Sequence, residues 1–138
     1  MSGPSQYLLV LYIAEQHESG PIPSGDIAAA LGRSPAAATE MLQRLEERGL
    51  VTLEPYEGAR LTADGRETAK ELHDTYVTLS QFFDEVLGLD NHDEEAIQVA
   101  GSISPLVADR LASALLAEAE TDRRPDDAMP SFLPTNNS

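Results

Sequence analysis

Residues 24–49 contain the start and end signals of two short helices joined by a tight turn. Gly32 follows an apolar stretch, and a glycine in this place commonly ends a helix in the left-handed conformation. Ser34 and Pro35 then supply an N-cap residue and a proline at the first helical position. Gly49 ends the second helix. Only residues 32 and 33 separate the two helices, so the chain must change direction sharply between them. Such a short connection favours a helix-turn-helix.

A helix and a hairpin are predicted on either side of this pair. Ser5 can be the N-cap of a first helix, and the apolar run that follows it would form that helix. Residues 50–53 and 59–61 have the composition of short strands, and turn-forming residues lie between them. A hairpin directly after a helix-turn-helix forms a wing. Residues 1–66 are therefore predicted to form a winged helix-turn-helix domain.

A long amphipathic helix follows the hairpin, with Thr62 as its N-cap. Its apolar residues recur at steps of three and four: Ala69, Leu72, Tyr76, Leu79, Phe83 and Val86. One wing cannot cover so long a stripe, so further helices are expected, at 93–103 and from Ser104 onward. The predicted fold class is mainly α, an N-terminal winged helix-turn-helix followed by an α-helical dimerisation domain at 67–120. The polar tail at 121–138 is predicted to be disordered.

Acidic residues dominate the chain but not its helix-turn-helix. The 138 residues carry 24 acidic and 9 basic side chains, for a net charge of −15. Residues 33–70 hold 7 acids and 6 bases, whereas residues 71–138 hold 14 acids and 3 bases. The segment that contains the second helix of the pair and the hairpin is therefore nearly neutral.

The rest of the composition indicates the kind of cell and compartment in which the protein works. Lys70 is the single lysine and there is no cysteine, a pattern typical of proteins from salt-loving archaea; acidity for solubility alone is the alternative. The lack of cysteine excludes disulfides, thiolate zinc sites and cysteine nucleophiles. No apolar run is long enough to span a bilayer. A cytoplasmic protein with no membrane partner is predicted.

The helix that begins at Ser34 has the composition of a recognition helix. Short side chains near its start allow close approach to a DNA groove, hydrogen-bonding side chains in its middle can reach base edges, and arginines on it, on the turn and on the wing can meet phosphate. Glu40 can accept a hydrogen bond from cytosine or pair with Arg44. An ordinary amphipathic helix with a solvated face is the alternative. The predicted DNA-binding residues are Arg33, Ser34, Ala36, Ala37, Thr39, Glu40, Gln43, Arg44 and Arg60.

No catalytic constellation is present in the sequence. It has no glycine-rich phosphate loop, no nucleophile elbow and no histidine pair at helical spacing. The histidines, His17, His73 and His92, are far apart, and each is more typical of a surface or helix-end residue than of a ligand. The chain is therefore predicted not to be an enzyme.

Three stretches resemble a known family. "SPAAATEMLQRLEERGLV", "ARLTADGRETAKELH" and "FFDEVLGLD" are similar to the diphtheria toxin repressor and manganese transport regulator family of metal-dependent transcriptional repressors. The resemblance runs from about Ser5 to Leu116. It implies a homodimer, built on the fourth to sixth helices, that binds double-stranded DNA at a palindromic operator. The dimer interface would contain Leu79, Phe82, Phe83, Val86, Ile103, Leu106, Val107 and Leu111.

The metal ligands that the resemblance implies are largely missing. The matching positions are occupied by Gln6, Leu9, Tyr76, Ser80, Ile97, Ala100 and Gly101. Apart from Gln6, a weak donor, none suits a divalent transition metal. The sequence therefore predicts no metal site and no cofactor. The alternative is an iron- or manganese-dependent repressor with relocated ligands, for which His73 and His92 are the weak candidates.

Two classes of function follow. The first is a homodimeric DNA-binding regulator, of repressor type and independent of metal. The second is a protein-interaction module in which the acidic residues of 71–138 bind a partner and the winged helix is a scaffold.

Overall fold

The computed structural model describes the backbone of residues 3–128 and the side chains of residues 3–117. Three helices precede a hairpin, and three follow it. The elements are α1 (Pro4–Glu15), α2 (Ser24–Leu31), α3 (Pro35–Glu47), β1 (Val51–Glu54), β2 (Gly58–Leu61), α4 (Ala63–Glu85), α5 (His92–Val99), a 3-10 turn (Ala100–Ser102) and α6 (Pro105–Ala128). The predicted fold class, mainly α with an N-terminal winged helix-turn-helix, is confirmed.

The core of the winged helix is built on α1. Tyr7, Leu8 and Leu11 are buried together with Ile27 of α2 and Leu42 of α3. The hairpin and the start of α4 complete this core through Val51, Ala59, Leu61 and Ala69. Burying one such large apolar side chain stabilises the fold by roughly 1.5–3 kcal/mol. The unbroken apolar run of α1 is therefore explained, because helices or strands pack against it from several sides.

Two of the predicted helix starts are confirmed in atomic detail. Ser34 Oγ accepts a hydrogen bond from Ala37 N at 3.1 Å, and Thr62 Oγ1 accepts one from Gly65 N at 3.0 Å. Ser5 is not the N-cap of α1, contrary to the sequence prediction. Gly3 holds that position without a side-chain bond, because Pro4 begins the helix one residue earlier.

The hairpin gains a short addition that the sequence did not reveal. β1 and β2 are antiparallel, with Val51 opposite Leu61 and Glu54 opposite Gly58. Ile22, which precedes α2, exchanges two backbone hydrogen bonds of 2.9 Å with Ala59. A side chain at Gly58 would place its Cβ 2.1 Å from Ile22 O, so this position requires glycine. The wing is thereby held against the start of the helix-turn-helix.

The C-terminal half departs from the sequence prediction at the fifth helix. The fifth helix ends at Val99 instead of Ile103, and a 3-10 turn follows. Helix α6 extends to Ala128, and residues 117–124 are rich in good helix formers. The predicted disorder of the tail stays a prediction. Residues 129–138 of the predicted tail lie outside the described part of the chain.

Contacts between elements divide the chain after Ile103, into units 1–103 and 104–138. The first unit includes α4 and α5, since α4 packs along α1. The division at 66 and 67 that was predicted from the sequence separates functions and not compact units, and it stays a prediction.

Gly65 offers a direct test of the junction between the wing and α4. A Cβ at this residue would lie 1.9 Å from Leu50 O, a backbone atom that cannot move alone. We expect Gly65→Ala to lower the free energy of unfolding by about 1–3 kcal/mol, as overpacking does. Urea denaturation at fixed salt measures the change. Gly25→Ala is the matched control, because nothing lies within 4 Å of its added Cβ; an equal loss in both variants would contradict the assignment.

Candidate nucleic-acid interface

Helix α3 has one buried face, which packs in the core, and one exposed face, which carries the predicted DNA-binding residues. Ala38, Leu42 and Leu45 are buried in the core, as an amphipathic helix requires. The other face is open to solvent. It exposes Ser34, Ala36, Thr39, Glu40, Gln43 and Arg44, while Ala37 is half-buried. The structure therefore brings the predicted base-reading residues together on one accessible surface.

The arginines predicted to meet phosphate flank this surface, and two of them are paired. Arg33 is exposed on the turn before α3, and Arg60 is exposed on β2. Arg44 lies 3.7 Å from the Glu40 carboxylate one helical turn away, and Arg60 forms an ion pair with Glu54. Both pairs are solvent-exposed, so each is weak and can be exchanged for a phosphate contact. Within residues 3–117, Arg33 has no such carboxylate partner.

Two glutamates that the sequence analysis overlooked fix the wing relative to α1, α3 and α4. Glu46, near the end of α3, accepts a hydrogen bond from Leu53 N at 3.0 Å. Glu15, at the end of α1, accepts a hydrogen bond from Leu61 N at 3.0 Å and forms an ion pair with Arg66 at 3.1 Å. One carboxylate thus ties α1, β2 and α4 together. No local pattern marks these residues, because their partners lie 7, 46 and 51 positions away.

The positions where the resemblance implies metal ligands hold a different chemistry. The Gln6 side chain is 7% exposed, and its Nε2 donates to Ile97 O at 3.3 Å. Leu9 and Ala100 are buried, and Gly101 lies against Ser5, where a Cβ would be 2.5 Å away. Apolar groups, the Gln6 amide and the neutral hydroxyls of Tyr76 and Ser80 take the place of charged donors. These residues do not fit a divalent transition metal.

The two histidines that were the weak candidates have different direct partners, and Tyr76 lies next to both groups of residues. The His73 ring contacts the rings of Tyr12 and Tyr76 in tilted arrangements, with centroids 5.1 and 5.8 Å away. His92 Nδ1 lies 2.8 Å from Ser80 Oγ, which itself donates to Asp93 at 2.5 Å. Among the described residues, no three His, Cys, Asp or Glu side chains converge as a metal site would require.

Hydrogen bonding, charge and burial shift pKa values in and beside the cluster formed by Ser80, His92 and Asp93, the Ser80 cluster. The bond from Ser80 holds the pKa of the Asp93 carboxyl below its ordinary value, and the nearby His92 acts in the same direction. Burial raises the pKa of the Tyr76 hydroxyl, and the charge of Asp93 raises it further. The cluster therefore joins the middle of α4 to the start of α5 through an ionised Asp93.

Comparison with known proteins identifies the relatives of this chain. Residues 4–59 match the family described as iron dependent repressor, N-terminal DNA binding domain. An uncharacterised HTH-type transcriptional regulator, MJ0568, of Methanocaldococcus jannaschii is 36% identical over 107 residues, which cover 76% of this chain and 86% of that protein. The HTH-type transcriptional regulator MntR of Bacillus subtilis is 32% identical over 104 residues, 71% of this chain and 72% of MntR.

Solved structures agree with these relatives. The manganese regulator SloR aligns with a TM-score of 0.71 and 26% identity, over 83% of this chain and 54% of SloR. A manganese-dependent transcriptional repressor in complex with manganese aligns with a TM-score of 0.74 and 25% identity, over 82% of this chain and 52% of the repressor. The chain thus spans about half the length of these solved proteins.

The comparisons overturn one prediction. No cofactor was predicted, but the solved neighbours include the manganese regulator SloR, a manganese-dependent repressor in complex with manganese, and ScaR with bound Zn²⁺. The prediction is wrong because it judged the family's requirement from the ligand positions of this chain alone. Separately, among the described residues no helix is long and apolar enough to cross a bilayer.

The relatives are transcriptional regulators and not enzymes, and the fold of this chain is theirs over the winged helix and the helices that follow. The chain belongs to the diphtheria toxin repressor and manganese transport regulator family of transcriptional regulators.

Proposed function

We propose that this regulator is a homodimeric repressor that binds a palindromic operator in the cytoplasm and reads its sequence with α3. The carrying observation is the exposed polar face of α3, flanked by Arg33 on the turn and Arg60 on the wing. A helix presented in this way by a helix-turn-helix fits the major groove. The near-neutral charge of residues 33–70 favours DNA over the acidic-module alternative, since the remainder of the chain would repel phosphate.

The side chains of α3 divide into three roles. Ser34, Ala36 and Ala37 are short and allow the helix to enter the groove. Thr39 and Gln43 reach base edges, and the arginines contact the backbone. Glu40 holds Arg44 in the free protein. On binding, Arg44 moves to phosphate and Glu40 becomes free to accept a hydrogen bond from a cytosine amino group.

Exposed apolar side chains on the helices after the wing support the dimer. Val86 at the end of α4 and Leu106 and Val107 at the start of α6 are exposed, although water is unfavourable for each. Phe82, Phe83, Ile103 and Leu111 are half-buried, whereas Leu79 is buried within its own chain. A two-fold dimer through these residues would present two copies of α3 for half-sites roughly 34 Å apart.

A divalent transition metal, manganese or iron, is the effector that the relatives suggest. The positions implied by the resemblance do not supply its ligands. His92 and Asp93 are a donor pair in contact with Ser80, which occupies one of those positions. A metal bound there would need further ligands from water or from a second chain, because a transition-metal site usually takes at least three protein donors.

Substitutions on α3 and the wing test the DNA contacts. We expect Gln43→Ala and Thr39→Ala to reduce discrimination between operator and random duplex roughly 5- to 100-fold, since each base contact supplies about 1–3 kcal/mol. Arg60→Ala should weaken binding to both duplexes equally and reduce the salt slope by about 1. Fluorescence anisotropy with a duplex selected from a random library measures both effects.

Arg110→Ala is the control for charge, because Arg110 is exposed on α6 and is not among the predicted DNA contacts. Equal losses on selected and random DNA for all the α3 variants would contradict the assignment of base readers. Failure of the wild-type protein to select any sequence would contradict the proposed function.

Charge placed in the predicted dimer interface should separate the subunits. We expect Leu106→Glu and Val86→Glu to sediment as monomers and to lose operator binding, because a buried unpaired carboxylate strongly opposes association. Val77→Glu is the matched control, since Val77 is an exposed apolar residue of α4 outside the predicted interface. Analytical ultracentrifugation would refute the interface if Val77→Glu alone dissociated the protein.

The metal response has its own test. We expect operator binding to weaken in chelator and to recover with Mn²⁺ or Fe²⁺. Loss of that recovery in His92→Ala, but not in His73→Ala, would place the ligand at the Ser80 cluster. Anisotropy measures the affinity, and the melting temperature of each variant controls for folding. The same affinity in chelator and in Mn²⁺ would contradict a metal effector.

A further inference from the structure

The tip of the wing holds a tyrosine in a backbone conformation that favours glycine. Glu57 N donates to Glu54 O at 2.9 Å, which closes a four-residue turn with Pro55 second and Tyr56 third. The φ of Tyr56 is +65°, and turns with a positive φ at the third position usually carry glycine or asparagine there. Tyrosine in this conformation is strained, and such strain concentrates at functional sites.

Nothing in the described part of the chain compensates for this strain. The Tyr56 side chain is fully exposed. Within residues 3–117 its ring stacks on no other aromatic ring, and its hydroxyl makes no hydrogen bond. The aromatic side chain is exposed to water and its backbone conformation is unfavourable. Both features are explained if Tyr56 contacts another molecule.

The position of Tyr56 indicates which molecule this is. Tyr56 and Thr39 line the same cleft, of about 330 Å³, between the wing, α3 and the start of α2. The tyrosine therefore lies on the side of the domain that presents the exposed face of α3. Any duplex that Thr39 reaches would pass beside the wing tip.

The chemistry of the tip favours tyrosine as the contact. Glu54 pairs with Arg60 in the free protein, and the exposed carboxylate of Glu57 would repel phosphate. Tyr56 is neutral, carries a hydroxyl donor and extends a flat ring. Tyrosine is among the side chains that bind phosphate and sugar.

We propose that Tyr56 contacts the sugar–phosphate backbone of DNA beside the half-site that α3 reads, an inference that rests on the proposed function. The contact positions the wing on the duplex without reading a base. Its loss should therefore weaken binding to every sequence alike, and removal of the neighbouring carboxylate should strengthen it.

Tyr56→Asn tests the contact, because asparagine tolerates a positive φ and removes the ring. With a duplex selected by the wild-type protein, we expect the Kd to rise roughly 5- to 10-fold, and equally on random duplex, as the loss of one hydrogen bond and its ring contact predicts. The melting temperature should stay the same or rise by a few degrees, since strain is relieved. Tyr56→Phe should lose only part of the affinity, and Glu57→Gln should gain affinity.

Hydroxyl-radical footprinting gives a second readout that a merely structural role would not change. We expect Tyr56→Asn to lose protection at one backbone position in each half-site and to keep the protection due to α3. A Kd within about twofold of wild type with an unchanged footprint would overturn the inference and leave the proposed function intact. If the wild-type protein neither selects nor protects DNA, the proposed function fails, and the inference fails with it.

Discussion

The burial of α1 is the interaction on which the rest of this structure depends. Tyr7, Leu8 and Leu11 form the surface against which α2, α3, the hairpin and α4 all pack. Without that surface, α2 and α3 would be short amphipathic helices with nothing to cover their apolar faces, and helices of 8 and 13 residues are marginal in isolation. The orientation of the candidate recognition helix is thus a consequence of packing against α1.

Polar contacts then set the angle of the wing. Apolar packing alone tolerates small displacements, whereas the hydrogen bonds of Glu15, Glu46 and Thr62 are directional. Glu15 contributes through a side chain that is largely covered, so its bonds to Leu61 N and Arg66 are worth more than those of an exposed pair. The exposed pairs Glu40–Arg44 and Glu54–Arg60 have the opposite character and can be exchanged when DNA binds.

Contacts within the chain occupy the positions where the resemblance implies metal ligands. Gln6 donates to Ile97 O and links α1 to α5 with one part-buried hydrogen bond. The Ser80, His92 and Asp93 cluster links α4 to α5 in a similar way. The first bond holds the helical region to the winged helix, and the second cluster holds two helices of the helical region to each other. One solved relative, by contrast, is a manganese-dependent repressor in complex with manganese.

Local signals in the sequence account for the secondary-structure elements of this chain. The Ser34–Pro35 start, the Gly32 and Gly49 ends and the Thr62 cap each act within a few residues, so the helix-turn-helix, the wing and the exposed face of α3 were predictable. Other features depend on contacts between residues that are distant in the sequence, and they became visible only in the folded chain. The tertiary structure joined Ile22 to the hairpin, placed Glu15 against the wing, buried Leu79 within its own chain and exposed Tyr56 in a strained turn. These features arise from residues tens of positions apart or from a backbone angle, and neither leaves a periodic signal in the sequence.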